Sequence, residues 1–165
     1  MARRSSPFPT AGLVLVRLVT ALVLLVHGWR WLAGGGPDGA LIRRAVDTAL
    51  ADGRTAFEWW GREVLLWNPD AIAFLWPWLA LGAGASLFLG ALVRPVGTLA
   101  AFFLANAWMY GLPAQRLLFL VLAASAFACV LGRAGARLGL DGIFDQHFPG
   151  WLTWTRSGRG SFLQR

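Results

Sequence analysis

The sequence predicts an all-α, polytopic membrane protein: a bundle of four transmembrane helices with short interfacial helices between the first and second spans. Three observations carry this. Of the 165 residues, 57% are hydrophobic and 14% charged, with a mean hydropathy of +0.57, whereas an ordinary soluble domain is roughly 25% charged. Four stretches approach the about 20 apolar residues that a helix needs to cross a hydrocarbon core. The tryptophans gather near the ends of those stretches, the level at which an indole buries its ring and keeps its N–H wet.

Residues 1–11 form a short flank carrying Arg3 and Arg4. The first span covers 12–33; its apolar run exceeds the usual signal-peptide core and no small-x-small cleavage site follows, so it is expected to be retained. Residues 34–70 form an outer segment that opens on the breaker cluster Gly34-Gly35-Gly36-Pro37 and is divided by Asp52-Gly53. Within it, Ile42, Val46, Ala49 and Leu50 share one helical face, and Phe57, Trp60, Val64 and Trp67 share another. Both patterns are too short to span and read as interfacial helices capping the bundle. The second span covers 71–93, the third 95–112 and the fourth 113–132. The Leu112-Pro113 junction supplies a helix stop followed by a first-turn proline. Residues up to 145 complete the membrane domain, and 146–165, with Phe148, Trp151 and Trp154, form an interfacial tail.

Orientation follows from arginine placement, because cytoplasmic flanks are enriched in basic residues. One face holds Arg3, Arg4, Arg94, Arg133, Arg137, Arg156, Arg159 and Arg165 against only Asp141 and Asp145. The other holds Arg43, Arg44, Arg54, Arg62 and Arg116 against Asp38, Asp47, Asp52, Glu58, Glu63 and Asp70. Both termini are therefore expected on the cytoplasmic side. The apolar runs between the arginines exclude a soluble nucleic-acid binder despite the net charge of +7. A single cysteine, Cys129, excludes an internal disulfide and reads as a small apolar filler. Two histidines far apart in sequence leave too few ligands for a metal site or paired axial haem ligation.

Polar groups inside apolar spans are costly and each needs a reason. Arg17, about one and a half turns into the first span, either snorkels to headgroups or holds the bundle together, with Asp141 as a candidate partner. His27 stands near the outer end of that span, beside Arg30 and one turn before Trp31, where an imidazole can hydrogen-bond a ligand carbonyl. Asn106, Trp108 and Tyr110 lie close together on the outer half of the third span. His27, Arg30, Asn106, Trp108 and Tyr110 are thus the candidate ligand-binding residues, for a flat apolar molecule such as a quinone. Gly82, Ser86 and Gly90 recur every four residues, as small-residue packing faces do.

Several elements stand in a recognisable order: Arg17, His27-Gly28, Gly90-Ala-Leu-Val-Arg94, and Gly132-Arg-Ala-Gly-Ala-Arg-Leu-Gly-Leu-Asp141. In this the chain resembles the DoxX-like family of bacterial four-helix membrane proteins over roughly residues 12–145. The long outer segment looks more like its DoxD branch, the small subunit of thiosulfate:quinone oxidoreductase. The resemblance implies a bacterial inner-membrane location, packing roles for Arg17, Gly28, Arg94 and Asp141, and a quinone as the associated cofactor, none being covalent. Two positions depart from many relatives: Ala80 stands where a Glu is frequent, and Trp31 where a Lys often follows His-Gly. Both departures remove charge from the outer half of the bundle.

No phosphate loop, nucleophile elbow or metal-binding helix motif occurs, so the isolated chain is not expected to catalyse a reaction. The expected function is a redox-linked, quinone-associated subunit whose partners are the bilayer and other membrane subunits or further copies of itself. The competing expectation is an accessory subunit that stabilises a larger respiratory or photosynthetic complex.

Overall fold

A computed structural model describes residues 8–36, 38–53, 58–111, 113–132 and 140, and among these every regular element is helical. The order is α1 (Phe8–Ala33), α2 (Gly39–Ala51), α3 (Glu58–Trp60) running into a π-helical turn (Gly61–Leu65), α4 (Pro69–Leu89), α5 (Val93–Tyr110), a 3-10 turn (Pro113–Gln115) and α6 (Arg116–Leu131).

The four longer helices pack as a ring in which α1 lies on α4 and α5 on α6, with thinner α4–α5 and α1–α6 seams closing it. Neighbours run antiparallel. Gly28 of α1 meets Pro77 and Leu81 of α4, while Ala21 and Leu25 meet Gly84. Gly97 of α5 meets Ala126 and Val130 of α6, and Leu13 near the start of α1 meets Gly132 at the end of α6. The core between them is Ala21, Leu24, Leu87, Val93, Leu104, Phe119, Leu122, Ala126 and Cys129. Small residues let backbones approach where lipid offers no hydrophobic drive for association.

The helix ends follow local chemistry. Asn68 caps α4 by accepting the Ala71 N–H at 3.0 Å, with Pro69 in the first turn. Gly90 ends α4 in the left-handed region at φ 67°; Ala91 N–H bonds Ser86 O at 3.0 Å and Gly90 N–H bonds Leu87 O at 3.2 Å. That is the reverse turn a glycine past a helix end makes cheaply. It stops α4 at Leu89, four residues short of the expected end of the second span at residue 93. Pro77 sits buried in the middle of α4.

Two sequence expectations change here. Among the described residues, only α1, over Ala11–Ala33, and α4 are long and apolar enough to cross a membrane. In α5 the apolar run is diluted by Arg94, Pro95, Thr98, Asn106 and Tyr110, and α6 has 16 residues. Less than a third of the apolar window of either long helix is covered by protein, and an apolar surface of that extent calls for lipid rather than water.

The outer segment differs too. Helix α2 forms as expected, capped by Asp38, which accepts the Leu41 N–H at 2.6 Å, and it buries Val46 and Ala49 against Tyr110. The second amphipathic helix shrinks to one α-turn and a π-turn. The Tyr110 ring and hydroxyl lie on Gly61, and Leu66 N–H bonds back to Gly61 O at 3.0 Å. Trp67 falls beyond the helix and is 86% exposed. Phe57, which the same pattern used, lies outside the described residues, as do Asp141 and the interfacial tail.

Candidate functional site

The half of the bundle beneath α2 holds an aromatic cluster contributed by three helices. On α1, His27 and Trp31 are one turn apart and therefore share a face; their ring centroids are 4.6 Å apart. Trp76 comes from the first half of α4 and Phe119 from the first turn of α6. His27 meets Phe119 edge-on at 5.6 Å, Trp76 meets Phe119 edge-on at 6.2 Å, and Trp31 lies 5.9 Å from Trp76. Edge-to-face and tilted pairs at these separations are the arrangements aromatic quadrupoles favour.

This cluster divides two cavities, and Trp76 and Phe119 line both. The outer cavity, of about 290 Å³, lies under α2. Leu41, Ile42 and Val46 roof it; Arg30, Asn106, Tyr110 and Gln115 supply its polar edge. The inner cavity, of about 330 Å³, lies between α4 and α5 and is backed by Leu24 and His27 of α1 and by Phe119 and Leu122 of α6. Its polar groups are few: the His27 Nε2 and Trp76 Nε1 atoms are both buried and neither has a hydrogen-bond partner. Buried polar nitrogens of that kind are rare in folded chains, because each costs about 1–3 kcal/mol when left unsatisfied. Trp60 Nε1 is in the same condition, but it sits in the outer segment against Trp59 and Phe102 and lines neither cavity.

Of the residues expected to bind a ligand, Arg30, Asn106 and Tyr110 come together around the outer cavity, while His27 lines the inner one. The Asn106 amide donates to Phe102 O at 2.9 Å. Tyr110 is held by a hydrogen bond with the Gly61 backbone. Trp108 is not brought to either cavity and is 39% exposed. Sequence reasoning named neither Trp76 nor Phe119 as a site residue. Trp76 read only as part of the interfacial belt, and nothing in the α6 sequence distinguishes Phe119 from its apolar neighbours.

The expected packing residues also sort differently. Gly28 packs on Pro77 and Leu81 of α4, and the α4 glycine that packs on α1 is Gly84, two positions beyond Gly82, against Ala21 and Leu25. A Cβ at Gly82 would meet nothing within 4 Å. The Ser86 hydroxyl donates to Ala91 O in the turn after α4. Arg17 is 3% exposed, so it is buried in the bundle rather than extended to the surface. Thr20, one turn on, donates to Val16 O at 2.8 Å. Among the described residues no three His, Cys, Asp or Glu side chains gather as a metal site would require.

No curated protein and no solved structure matches the chain. The DoxX family model matches residues 12–113, which takes in α1, the α2 cap, α4 and α5 and so covers more than half of the chain. With two apolar helices that leave most of their surface for lipid, the chain belongs to the DoxX family and is a membrane-associated domain of that family.

Proposed function

We propose that this DoxX chain is a four-span subunit of the bacterial inner membrane, with both termini cytoplasmic, that houses a quinone ring in the inner cavity and is not catalytic alone. The span count is supported by the exposure of Leu99 and Phe102 on α5 and of Leu117, Val121 and Leu131 on α6, apolar surface that only lipid covers well. At 1.5 Å per residue these two helices run roughly 27 and 24 Å, close to a hydrocarbon core about 30 Å thick. The DoxD-type reading is supported by the long segment between the first two apolar helices, whose helix α2 roofs the neighbouring outer cavity.

The observation that carries the quinone reading is the pair of buried, unpartnered nitrogens on two residues that line an apolar slot. Trp76 Nε1 can only donate, and His27 Nε2 donates or accepts according to its proton. A flat ring with two carbonyl oxygens offers an acceptor to each nitrogen, against an apolar lining that includes Leu24, Leu122 and Phe119. A bound quinone supplies a two-electron, two-proton acceptor for a partner enzyme.

The test is direct. Full-length protein purified in mild detergent should retain quinone in its lipid extract. Trp76→Phe and His27→Ala each remove one hydrogen bond of about 0.5–1.5 kcal/mol and should each lower retention about two- to tenfold. Absence of quinone from the unsubstituted protein, or retention unchanged in both variants, overturns the reading.

A further inference from the structure

The inner cavity is not closed. The same cavity wall that holds His27 and Trp76 also includes Trp78, Gly82 and Leu99; Trp78 is 53% and Leu99 49% exposed, and Gly82 is exposed with no neighbour within 4 Å of where a Cβ would stand. These three lie on the outward side of the α4–α5 seam, one of the thinner seams of the ring. The outer cavity opens elsewhere, at exposed Arg30, Gly34 and Gly36, and the Trp76–Phe119 partition stands between the two.

From this geometry we infer that the inner site takes its ligand sideways from the bilayer, and that the ligand is a quinone bearing a long isoprenoid tail which leaves the protein between α4 and α5 past Gly82. The inference rests on the quinone reading and adds the route and the substrate class. Volume supports it. A cavity of about 330 Å³ is at the small end of ligand pockets; it admits a ring headgroup but not a polyprenyl chain as well. The tail must therefore stay outside, and the outward wall at Gly82 faces the one medium that solvates it. Gly82 is the position where the wall is lowest, because it contributes no side chain.

The position also permits a test that leaves the fold in place. Gly82→Cys is reconstituted into phosphatidylethanolamine–phosphatidylglycerol vesicles and then alkylated with N-benzylmaleimide, so the blocking group arrives after folding. Cys129 is fully buried, which shields it from the reagent. Two photoreactive azido-benzoquinones are offered, one with a decaprenyl tail and one with a methyl group in its place, and labelled peptides are mapped by mass spectrometry. Unmodified protein should be labelled by both probes on α4 or α5. Alkylation should lower labelling by the tailed probe about tenfold and leave the tail-less probe within about twofold. Equal labelling by the tailed probe before and after alkylation overturns the lateral route while leaving the quinone site intact. Equal loss of both probes places Gly82 in the ring site and also overturns the route. Failure of both probes to label the unmodified protein removes the quinone reading itself.

Discussion

Gly82 and Gly84 are two residues apart on α4, about 200° around the helix, and alanine at each should have opposite consequences. Replacing a mid-helix glycine by alanine favours the helix by about 0.8–1.0 kcal/mol, and this term is common to both positions. At Gly82 nothing opposes it, since the new methyl meets no atom within 4 Å. At Gly84 the methyl would stand 2.8 Å from Leu25 Cγ and 3.0 Å from both Ala21 O and Leu25 N. Two of those three atoms are backbone, so α1 has to move as a body. Overpacking of that kind costs about 1–3 kcal/mol. The shared propensity term cancels in the comparison, so Gly84→Ala should be less stable than Gly82→Ala by about 1–3 kcal/mol, a ratio of folded to unfolded protein that falls about 5- to 150-fold. Titration with dodecyl sulfate in dodecylmaltoside micelles, followed by tryptophan fluorescence, measures the two midpoints side by side. Coincident midpoints would refute the assignment of Gly84, rather than Gly82, to the α1–α4 contact.

Two further outcomes follow from the ends of the same helices. Gly90→Ala forces a side chain into the left-handed conformation at φ 67° and should cost roughly 1–2 kcal/mol, seen as a lower midpoint in the same titration; an unchanged midpoint would mean that the α4–α5 corner relaxes. Tyr110→Phe removes the hydroxyl held by the Gly61 backbone, worth about 0.5–1.5 kcal/mol. Amide exchange should quicken across residues 58–66 and stay unchanged in α1, and equal protection in both proteins would show that ring packing alone holds the π-turn.

Apolar length and breakers made the helices legible in sequence. The first apolar stretch became α1, which ends at Ala33 as expected but starts earlier, at Phe8, and α5 closes at Tyr110 ahead of the 3-10 turn that Pro113 opens. The α2 face was legible because Val46 and Ala49 recur at helical spacing and both are buried. The π-turn was not, because it depends on Tyr110 arriving from another helix to lie on Gly61. Nor was the register of small residues. Gly82, Ser86 and Gly90 are evenly spaced, but the contact goes to Gly84, which is set by where Ala21 and Leu25 meet α4. His27 drew notice as an ionisable group in an apolar run. Trp76 and Phe119 did not, since an indole near a span end looks like an interfacial anchor until the neighbouring helices show which way it faces. Trp29, Trp59, Trp67, Trp78 and Trp108 face outward, and Trp31, Trp60 and Trp76 are turned in.

Pro77 gives these chambers a mechanical property. A proline inside a helix has no N–H to offer the carbonyl four residues back and crowds it as well, so the α4 ladder lacks a rung between Ala73 and Pro77. Helices bend where a rung is missing. The pliable point thus falls between Trp76, which divides the chambers, and Trp78, which borders the way out to lipid. A bend of α4 at that rung would shift Trp76, on the wall of both chambers, relative to Trp78, on the wall of the inner one.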